Sequence, residues 1–249
     1  MTKDHRFFVS LSCKPAPMYL RRLSLLNFKN ITQEELTLGP DINCLVGDNG
    51  AGKTTTLKAV AGILQFDAGE IYIDGKSIRT EPLACKRELA YIPDNPDLYD
   101  FMSGIKYLNF IADIFGVSAD DRQTRIRDYA ARFELTEDLA QPIAAYSHGM
   151  KQKLAIIAAW LHQPKLVIMD EPFVGLDPKA SHLLKGMMRE LCDRGGAIFF
   201  STHVLEVAEK LCDKVAIIKG GRLIRSGTME EVKGDDSLEQ VFLELEDEA

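Results

Sequence analysis

An eight-residue segment that begins at Gly47 constrains this chain more than any other feature of its 249 residues. It reads Gly-Asp-Asn-Gly-Ala-Gly-Lys-Thr and matches the pattern GxxxxGK[ST] at every fixed position. An apolar, strand-like run (residues 42–46) precedes it, and a helical pattern follows at residues 55–63. In such a loop, backbone N–H groups surround phosphate oxygens, the lysine reaches the β- and γ-phosphates, and the last hydroxyl ligates Mg²⁺. The segment therefore predicts a site for a nucleoside triphosphate and Mg²⁺.

The residues expected to contact the nucleotide are Asn49, Gly50, Ala51, Gly52, Lys53, Thr54 and Thr55. Among them, Thr54 is also the predicted metal ligand. A plain glycine-rich turn between a strand and a helix is the alternative interpretation. Such a turn does not require a lysine and a threonine directly after its last glycine, so the phosphate-binding interpretation is preferred.

Composition limits the remaining classes of function. With 46% hydrophobic residues the chain can bury a large core, which excludes disorder as its main state. The net charge is −7, and lysine and arginine form no basic run, so nucleic acid is not an expected partner. Five widely separated cysteines without a CxxC pair argue against a disulfide framework or a zinc site and favour a reducing cytosol. No apolar stretch is long enough to cross a bilayer, so any membrane role is expected to need a partner chain.

Hydrophobic periodicity predicts alternating strands and helices, the pattern of an α/β fold with a parallel sheet. The strands are expected at residues 19–28, 36–46 with a break at 39–40, 69–75 ending in a hairpin turn, 166–169, 197–200, 215–218 and 222–226. The helices are expected at residues 55–63, 103–115, 122–133, 151–161 and 180–192. Residues 1–17 are expected to be an extension outside the domain, with Met18 as an alternative start, and a truncation beginning at Met18 should still fold.

Two acids follow the buried strand predicted at residues 166–169. Carboxylates in this place lie at the carboxyl edge of a parallel sheet, where α/β proteins form ligand sites. Asp170 is expected to hold Mg²⁺, largely through water. Glu171 is suited to polarise an attacking water, either as general base or as an electrostatic orienter. A solvated strand end is the alternative, but the phosphate loop upstream makes it the weaker interpretation.

Three further segments carry a family resemblance. Tyr146-Ser147-His148-Gly149-Met150 resembles the signature motif of ATP-binding cassette (ABC) ATPases, Gly175-Leu176-Asp177-Pro178 resembles their D-loop, and Ser201-Thr202-His203 resembles the segment with the switch histidine. Together with the phosphate loop they follow in the family's order. The resemblance implies a P-loop NTPase fold of the α/β class, with an ABC-type core on a mixed sheet, an antiparallel β subdomain and a helical subdomain at about residues 96–160. It also implies one domain at residues 18–245 and an acidic tail at 246–249.

In ABC ATPases two cassettes stack head to tail around ATP. On that resemblance, Ser147 and the N–H group of Gly149 would grip the γ-phosphate of an ATP held by the other cassette, at a helix N-terminus that favours an anion. His203 would hydrogen-bond the γ-phosphate and act in catalysis with Glu171. Asp177 would lie at the dimer seam and couple the two sites.

The chain departs from the family pattern at several positions. Asp94 stands where glutamine is common, so either Asp94 is a stronger metal ligand with a catalytic role or Asn95 supplies the amide. Tyr146 and His148 replace the usual leucine and glycine of the signature. The aromatic residue that stacks on adenine in the family is not identified by the sequence, and Phe28 and Tyr19 are its candidates, although a core role suits both.

The resemblance implies the ATP-hydrolysing motor subunit of an ABC transporter, cytoplasmic and peripheral on the membrane through separate transmembrane permease subunits. The chain would form a homodimer or a heterodimer with a related ATPase subunit. Two further segments bear on its partners. An apolar segment is either a groove for a short helix of the permease or ordinary core: Leu98, Tyr99, Phe101, Met102 and Tyr107. Residues 238–245 resemble the C-terminal helix of ATPases that serve exporters, which favours export.

Two other classes remain as alternatives. Residues 23–30 resemble the opening of chromosome-maintenance or DNA-recombination ATPases. About 95 residues separate the phosphate loop from the signature, which leaves no room for a long coiled-coil arm in addition to a helical subdomain. A nucleotide switch without hydrolysis is the last alternative, and the presence of both Glu171 and His203 argues against it.

Overall fold

The computed structural model describes residues 22–26, 34–36 and 41–247, and these residues form ten β-strands. The strands are β1 (Arg22–Leu26), β2 (Glu34–Leu36), β3 (Ile42–Val46), β4 (Ala68–Ile73), β5 (Lys76–Ser77), β6 (Leu89–Ile92), β7 (Leu166–Asp170), β8 (Ala197–Thr202), β9 (Lys214–Lys219) and β10 (Arg222–Thr228). The predicted turn at Asp74-Gly75 connects β4 and β5, and both of its residues have positive φ, as a tight hairpin turn requires.

Nine α-helices and one 3₁₀ helix connect these strands in the described part of the chain. The helices are α1 (Lys53–Val60), α2 (Pro82–Glu88), α3 (Gly104–Ile114), α4 (Ala119–Arg132), the 3₁₀ helix Ile143–Ala145, α5 (His148–Trp160), α6 (Pro178–Asp193), α7 (Leu205–Leu211), α8 (Met229–Lys233) and α9 (Leu238–Asp247). Within the same residues, no helix combines the length and the apolar character that a membrane crossing requires.

The strands form two sheets. The larger has the order β10-β9-β3-β8-β7-β6, with all pairs parallel except β9 with β10. The smaller is antiparallel, with the order β2-β1-β4-β5. This confirms the predicted mixed sheet and the predicted antiparallel unit. Because β3, β8 and β7 are parallel neighbours, the segments that follow them emerge at one edge of the sheet.

Alternate residues of the larger sheet face two separate hydrophobic cores. In β3, Cys44 and Val46 belong to one core, which also contains apolar residues of α3 to α6. Leu45 points into the other core, where it packs with Leu57 of α1 and Ile71 of β4. Helix α1 therefore lies between the two sheets, and its buried face fixes the start of the helix beside the end of β3.

Several predicted boundaries were wrong for identifiable reasons. Helix α1 ends at Val60 rather than at residue 63, because Gly62 takes a left-handed conformation (φ 66°). Helices α4 and α5 begin three residues earlier than predicted, because Ser118 and Ser147 accept hydrogen bonds from the amides of Asp121 and Met150 and cap the helices. Helices α2, α7 and α8 were not predicted, since each has at most seven residues and too little periodicity to be recognised.

Other predictions fall on parts of the chain that the structure does not describe. Residues 1–17, Tyr19 and Phe28 all lie outside the described ranges. Helix α9 runs to Asp247, beyond the predicted end of the C-terminal helix at residue 245. The acidic tail is therefore partly helical in its backbone.

The unusual Tyr146 of the signature segment generates a stability prediction. Its side chain is buried, and its hydroxyl donates a hydrogen bond of 2.7 Å to the carbonyl oxygen of Asp138. Tyr146→Phe removes the donor and leaves that carbonyl without this partner, so we expect the free energy of unfolding to fall by about 1 kcal/mol in urea titrations. The matched variant Tyr99→Phe, at an exposed position, should change it by less than about 0.5 kcal/mol. Equal effects of the two variants would contradict the assigned role of the hydroxyl.

Candidate nucleotide site

One cavity of about 210 Å³ gathers most of the residues predicted to bind a nucleotide. It lies at the edge of the larger sheet where β3 and β7 end and α1 begins. The residues that line it are Asp48, Asn49, Gly50, Gly52, Lys53, Thr54, Thr55, Asp94, Asp170 and Glu171. The fold thus brings residues from three separate sequence segments to one place.

The phosphate loop is closed by its own backbone. Gly52 has a φ of 106°, a left-handed value that glycine adopts without steric cost, and it directly precedes α1. Lys53 is buried, and its Nζ donates hydrogen bonds to the carbonyl oxygens of Gly47 (2.5 Å) and Asp48 (3.2 Å). Ala51 does not line the cavity, because its side chain is buried and its amide bonds to the carbonyl oxygen of Asp48 at 3.1 Å. The loop backbone therefore fixes the position of the Lys53 ammonium group.

Asp170 is held at the end of β7 by a residue that the sequence analysis overlooked. Its side chain is buried, and the buried Ser201 hydroxyl donates a hydrogen bond of 2.5 Å to its Oδ1. These two residues are register partners in the parallel pair β7–β8. The sequence shows polar residues at the ends of both apolar strands, but only the strand register shows that these two face each other. The bond fixes the orientation of the carboxylate.

Glu171 is placed by the backbone turn that follows β7. Its φ is 46°, in the left-handed region that non-glycine residues rarely adopt, and its amide bonds to the carbonyl oxygen of Ser201 at 3.1 Å. Its Oε1 lies 3.7 Å from Nζ of Lys53 and 3.0 Å from Nδ1 of His203. The Glu171 side chain is 13% exposed, whereas that of His203 is 50% exposed. The three predicted groups therefore form one connected cluster.

Asp94 also lines this cavity, whereas Asn95 does not, and both residues are exposed. The partly buried Tyr91, on β6, is affected by the charges of nearby carboxylates. Burial raises the pKa of Tyr91, and the negative charges of Asp170 and Asp94 raise it further. Asp94 and Asp170 therefore add negative charge next to the loop, which favours a bound cation.

Thr54, Asp94 and Asp170 fit a magnesium ion that arrives with phosphate oxygens. No group of three or more histidine, cysteine, aspartate or glutamate side chains in the described residues is arranged to hold a metal by itself. Mg²⁺ in nucleotide sites commonly uses one or two carboxylates, waters and the phosphates themselves. The donors in the cavity match that requirement.

Ser147 and Gly149 do not line this cavity. They lie at the start of α5, where the Ser147 hydroxyl accepts a hydrogen bond of 3.3 Å from the amide of Met150. Ser147 is exposed and Gly149 is partly exposed. In one chain alone, the predicted signature residues therefore lie outside its own candidate nucleotide site.

Asp177 joins the D-loop segment to two helices. It caps α6 by accepting a hydrogen bond of 2.8 Å from the amide of Ala180. Its Oδ2 also lies 2.7 Å from Nζ of Lys153 on α5. The Lys153 hydrogen bond and then the Ala180 amide lower the pKa of Asp177. The carboxylate thus remains ionised to a lower pH than an ordinary aspartate.

The predicted apolar segment divides between core and surface. Leu98 is buried and Tyr107 packs against the first hydrophobic core, whereas Tyr99 and Phe101 are 46% and 82% exposed. A second cavity of about 390 Å³ lies beside this segment, with Leu98, Tyr107 and Ile63 in its wall. The core interpretation therefore holds for Leu98 and Tyr107, and the groove for a permease helix stays a prediction.

Comparisons with known proteins agree with this geometry. The family model described as ABC transporter matches residues 36–174, more than half of the chain. The chain is 34% identical over 239 residues to the ABC-type transporter ATP-binding protein EcsA of Bacillus subtilis, covering 90% of this chain and 97% of EcsA. The linearmycin resistance ATP-binding protein LnrL of the same organism is 33% identical over 74% of this chain, which spans 59% of LnrL.

A solved structure described as the ATP-binding subunit of an ABC transporter superposes with a TM-score of 0.86. It is 33% identical and covers 93% of this chain and 100% of its own. The chromosome-maintenance alternative finds no support in these matches. A phosphate loop and a strand-end aspartate–glutamate pair meet in one cavity, a histidine on the adjacent strand end contacts that glutamate, and the sequence matches agree, so this chain belongs to the ATP-binding proteins of the ABC transporter family.

Proposed function

We propose that the chain hydrolyses ATP as the motor subunit of a membrane exporter, and that two cassettes close around the nucleotide. One observation carries the proposal. Lys53 and Glu171 line the cavity and His203 contacts Glu171, whereas Ser147 and Gly149 lie outside the cavity at an exposed helix start. A site divided in this way is completed when a second cassette supplies the signature residues.

The loop residues bind and orient the triphosphate. The amides at the start of α1 favour an anion, and Lys53 adds a positive charge that is already fixed by the carbonyl oxygens of Gly47 and Asp48. When the γ-phosphate enters, its oxygens become the stronger partners of the Lys53 ammonium group. Little conformational entropy is then lost on binding, because the lysine is already ordered.

Thr54 and Asp170 would hold Mg²⁺, with Asp94 as an additional carboxylate. The bound metal neutralises charge on the β- and γ-phosphates. Ser201 keeps the Asp170 carboxylate in one orientation through its hydrogen bond. The support for Asp94 over Asn95 is its place in the cavity wall.

Glu171 is proposed as the group that accepts the proton of the attacking water. Its carboxylate is only 13% exposed and lies between Lys53 and His203. Partial exclusion of solvent strengthens the interactions of this carboxylate with both neighbours. His203, half exposed, is placed to contact the γ-phosphate and Glu171 together. These contacts orient the base before the reaction and reduce the reorganisation that it needs.

We infer that the partner in the membrane docks beside the segment from Leu98 to Tyr107. Tyr99 and Phe101 form an exposed aromatic pair with ring centroids 5.8 Å apart, and the 390 Å³ cavity opens beside them. An exposed aromatic pair next to an apolar cavity suits the apolar face of a short helix. Association with the inner face of the membrane follows from this docking.

Export is the proposed direction. The printed name of LnrL refers to linearmycin resistance. Helix α9 is present where the sequence suggested an exporter-type C-terminal helix, and it packs on α7 and α8. Both observations favour an exporter, and neither identifies the cargo.

The role of Glu171 is tested by Glu171→Gln. We expect turnover of ATP to fall by roughly 10²- to 10⁴-fold, because the amide accepts no proton, while ATP-bound dimers accumulate in size-exclusion chromatography with ATP and Mg²⁺. Glu88→Gln, on a surface ion pair with Lys165, is the control and should keep wild-type turnover. Normal ATPase activity of the Glu171 variant would refute its role.

The role of Asp94 is tested by the metal requirement. Because Asp94 adds a negative charge to the cavity, Asp94→Gln should raise the Mg²⁺ concentration for half-maximal ATPase activity roughly tenfold and leave the maximal rate within a few-fold. Asp97→Asn is the matched control, since Asp97 does not line this cavity. An unchanged Mg²⁺ dependence in Asp94→Gln would assign the amide role to another residue.

The docking surface is tested by cell fractionation. Phe101→Asp should move the chain from the membrane fraction of its source cells to the supernatant, because a charge replaces an 82% exposed aromatic contact. The ATPase activity of the purified variant should stay at the wild-type level. Leu243→Asp, at an exposed position of α9, is the control. Membrane association of Phe101→Asp equal to wild type would contradict this docking surface.

A further inference from the structure

The imidazole ring of His148 fills a space that the missing side chain of Gly175 leaves open. Gly175 has a φ of 77°, in the left-handed region. The three atoms nearest to a methyl group built on Gly175 all belong to His148, with Nε2 at 2.9 Å. Any side chain at position 175 would therefore collide with the ring.

Two further contacts join the same two segments. A methyl group on Gly149 would lie 2.7 Å from the carbonyl oxygen of Gly175, so the first turn of α5 lies directly on the D-loop backbone. One turn further along that face of α5, Lys153 pairs with Asp177 at 2.7 Å, and its side chain is only 15% exposed. Three successive contacts thus fasten α5 to residues 175–177.

We propose that His148 is a positioning residue that transmits the state of the signature segment to Glu171 of its own chain. The inference rests on the proposed function, in which the signature contacts a nucleotide held by a second copy of this chain. Only three residues separate Glu171 from Gly175, and Glu171 takes a left-handed backbone conformation that its surroundings must maintain. Movement of the signature turn therefore shifts the D-loop backbone and, through it, the orientation of the Glu171 carboxylate.

Packing and charge indicate that the contact between His148 and Gly175 is specific. The ring lies against backbone, which cannot yield as a flexible side chain can. Asp177 is fixed at both of its oxygens, by the Ala180 amide and by Lys153, so the segment has little freedom to move independently of α5. His148 is also exposed, so a second copy bound at the signature segment would be able to reach its ring.

The contact itself is tested by a double-mutant cycle in the single chain. Gly175→Ala should destabilise the protein to urea more strongly when His148 is present than in the His148→Gly background, because only the ring collides with the added methyl group. Gly116→Ala is the control for backbone strain, since Gly116 also has a positive φ (67°) but no atom within 4 Å of the added methyl group. Additive effects of the two substitutions would overturn the proposed contact.

The positioning role is tested by steady-state kinetics of the same proteins. His148→Gly and Gly175→Ala should each lower kcat roughly ten- to hundredfold, while the affinity for a fluorescent ATP analogue stays within about twofold of wild type. His148→Gly should partly restore the kcat of Gly175→Ala, which a general loss of stability does not predict. Wild-type kcat in His148→Gly would overturn the role. A wild-type chain without any turnover would refute the proposed function and this role together, while the urea cycle would still decide whether the contact exists.

Discussion

The parallel register of β3, β8 and β7 is the constraint on which the rest of the site depends. Val46 is the register partner of Thr202, and Ser201 is that of Asp170, so three strands end at nearly the same level. The residues that directly follow these three ends are the first residue of the phosphate loop, His203 and Glu171. A shift of one strand by a single residue would turn Asp170 towards the wrong face and separate it from Ser201. Burial of both faces of these strands prevents such a shift.

The charges around the cavity explain why the site without a ligand favours a charged one. The loop supplies one fixed ammonium group, whereas Asp94, Asp170 and Glu171 place three carboxylates around the same cavity of about 210 Å³. Asp170 and Glu171 are shielded from solvent, whereas Asp94 is exposed, and the charges of Asp170 and Asp94 add to the effect of burial in raising the pKa of Tyr91. A divalent cation with a polyanionic ligand balances both signs at once. On the proposed function, this balance of charge favours the metal–nucleotide complex over either component alone.

Much of this site was predictable because its residues follow local rules. The phosphate loop and the pair Asp170-Glu171 are contiguous in sequence, and their chemistry requires those residue types in that order. Ser201 was missed because its role depends on strand register, which one sequence does not display. The contact of His148 with Gly175 was missed for a similar reason, since it joins segments about 26 residues apart through shape alone. Short helices such as α2 were not predicted because packing, rather than a periodic sequence pattern, stabilises them.

On the proposed function, the signature segment of a chain contacts the nucleotide at one site of the dimer, and the D-loop of the same chain acts at the other site. The covalent path from Glu171 to Asp177 is seven residues long, both ends included, and two of its residues, Glu171 and Gly175, are left-handed. One end is held by the hydrogen bond from the Glu171 amide to Ser201, and the other by the ion pair of the Asp177 carboxylate with Lys153. Coupling between two sites requires an element that both sites bias. This short segment meets that requirement, since one end bears the proposed base and the other end contacts the helix that begins with the signature.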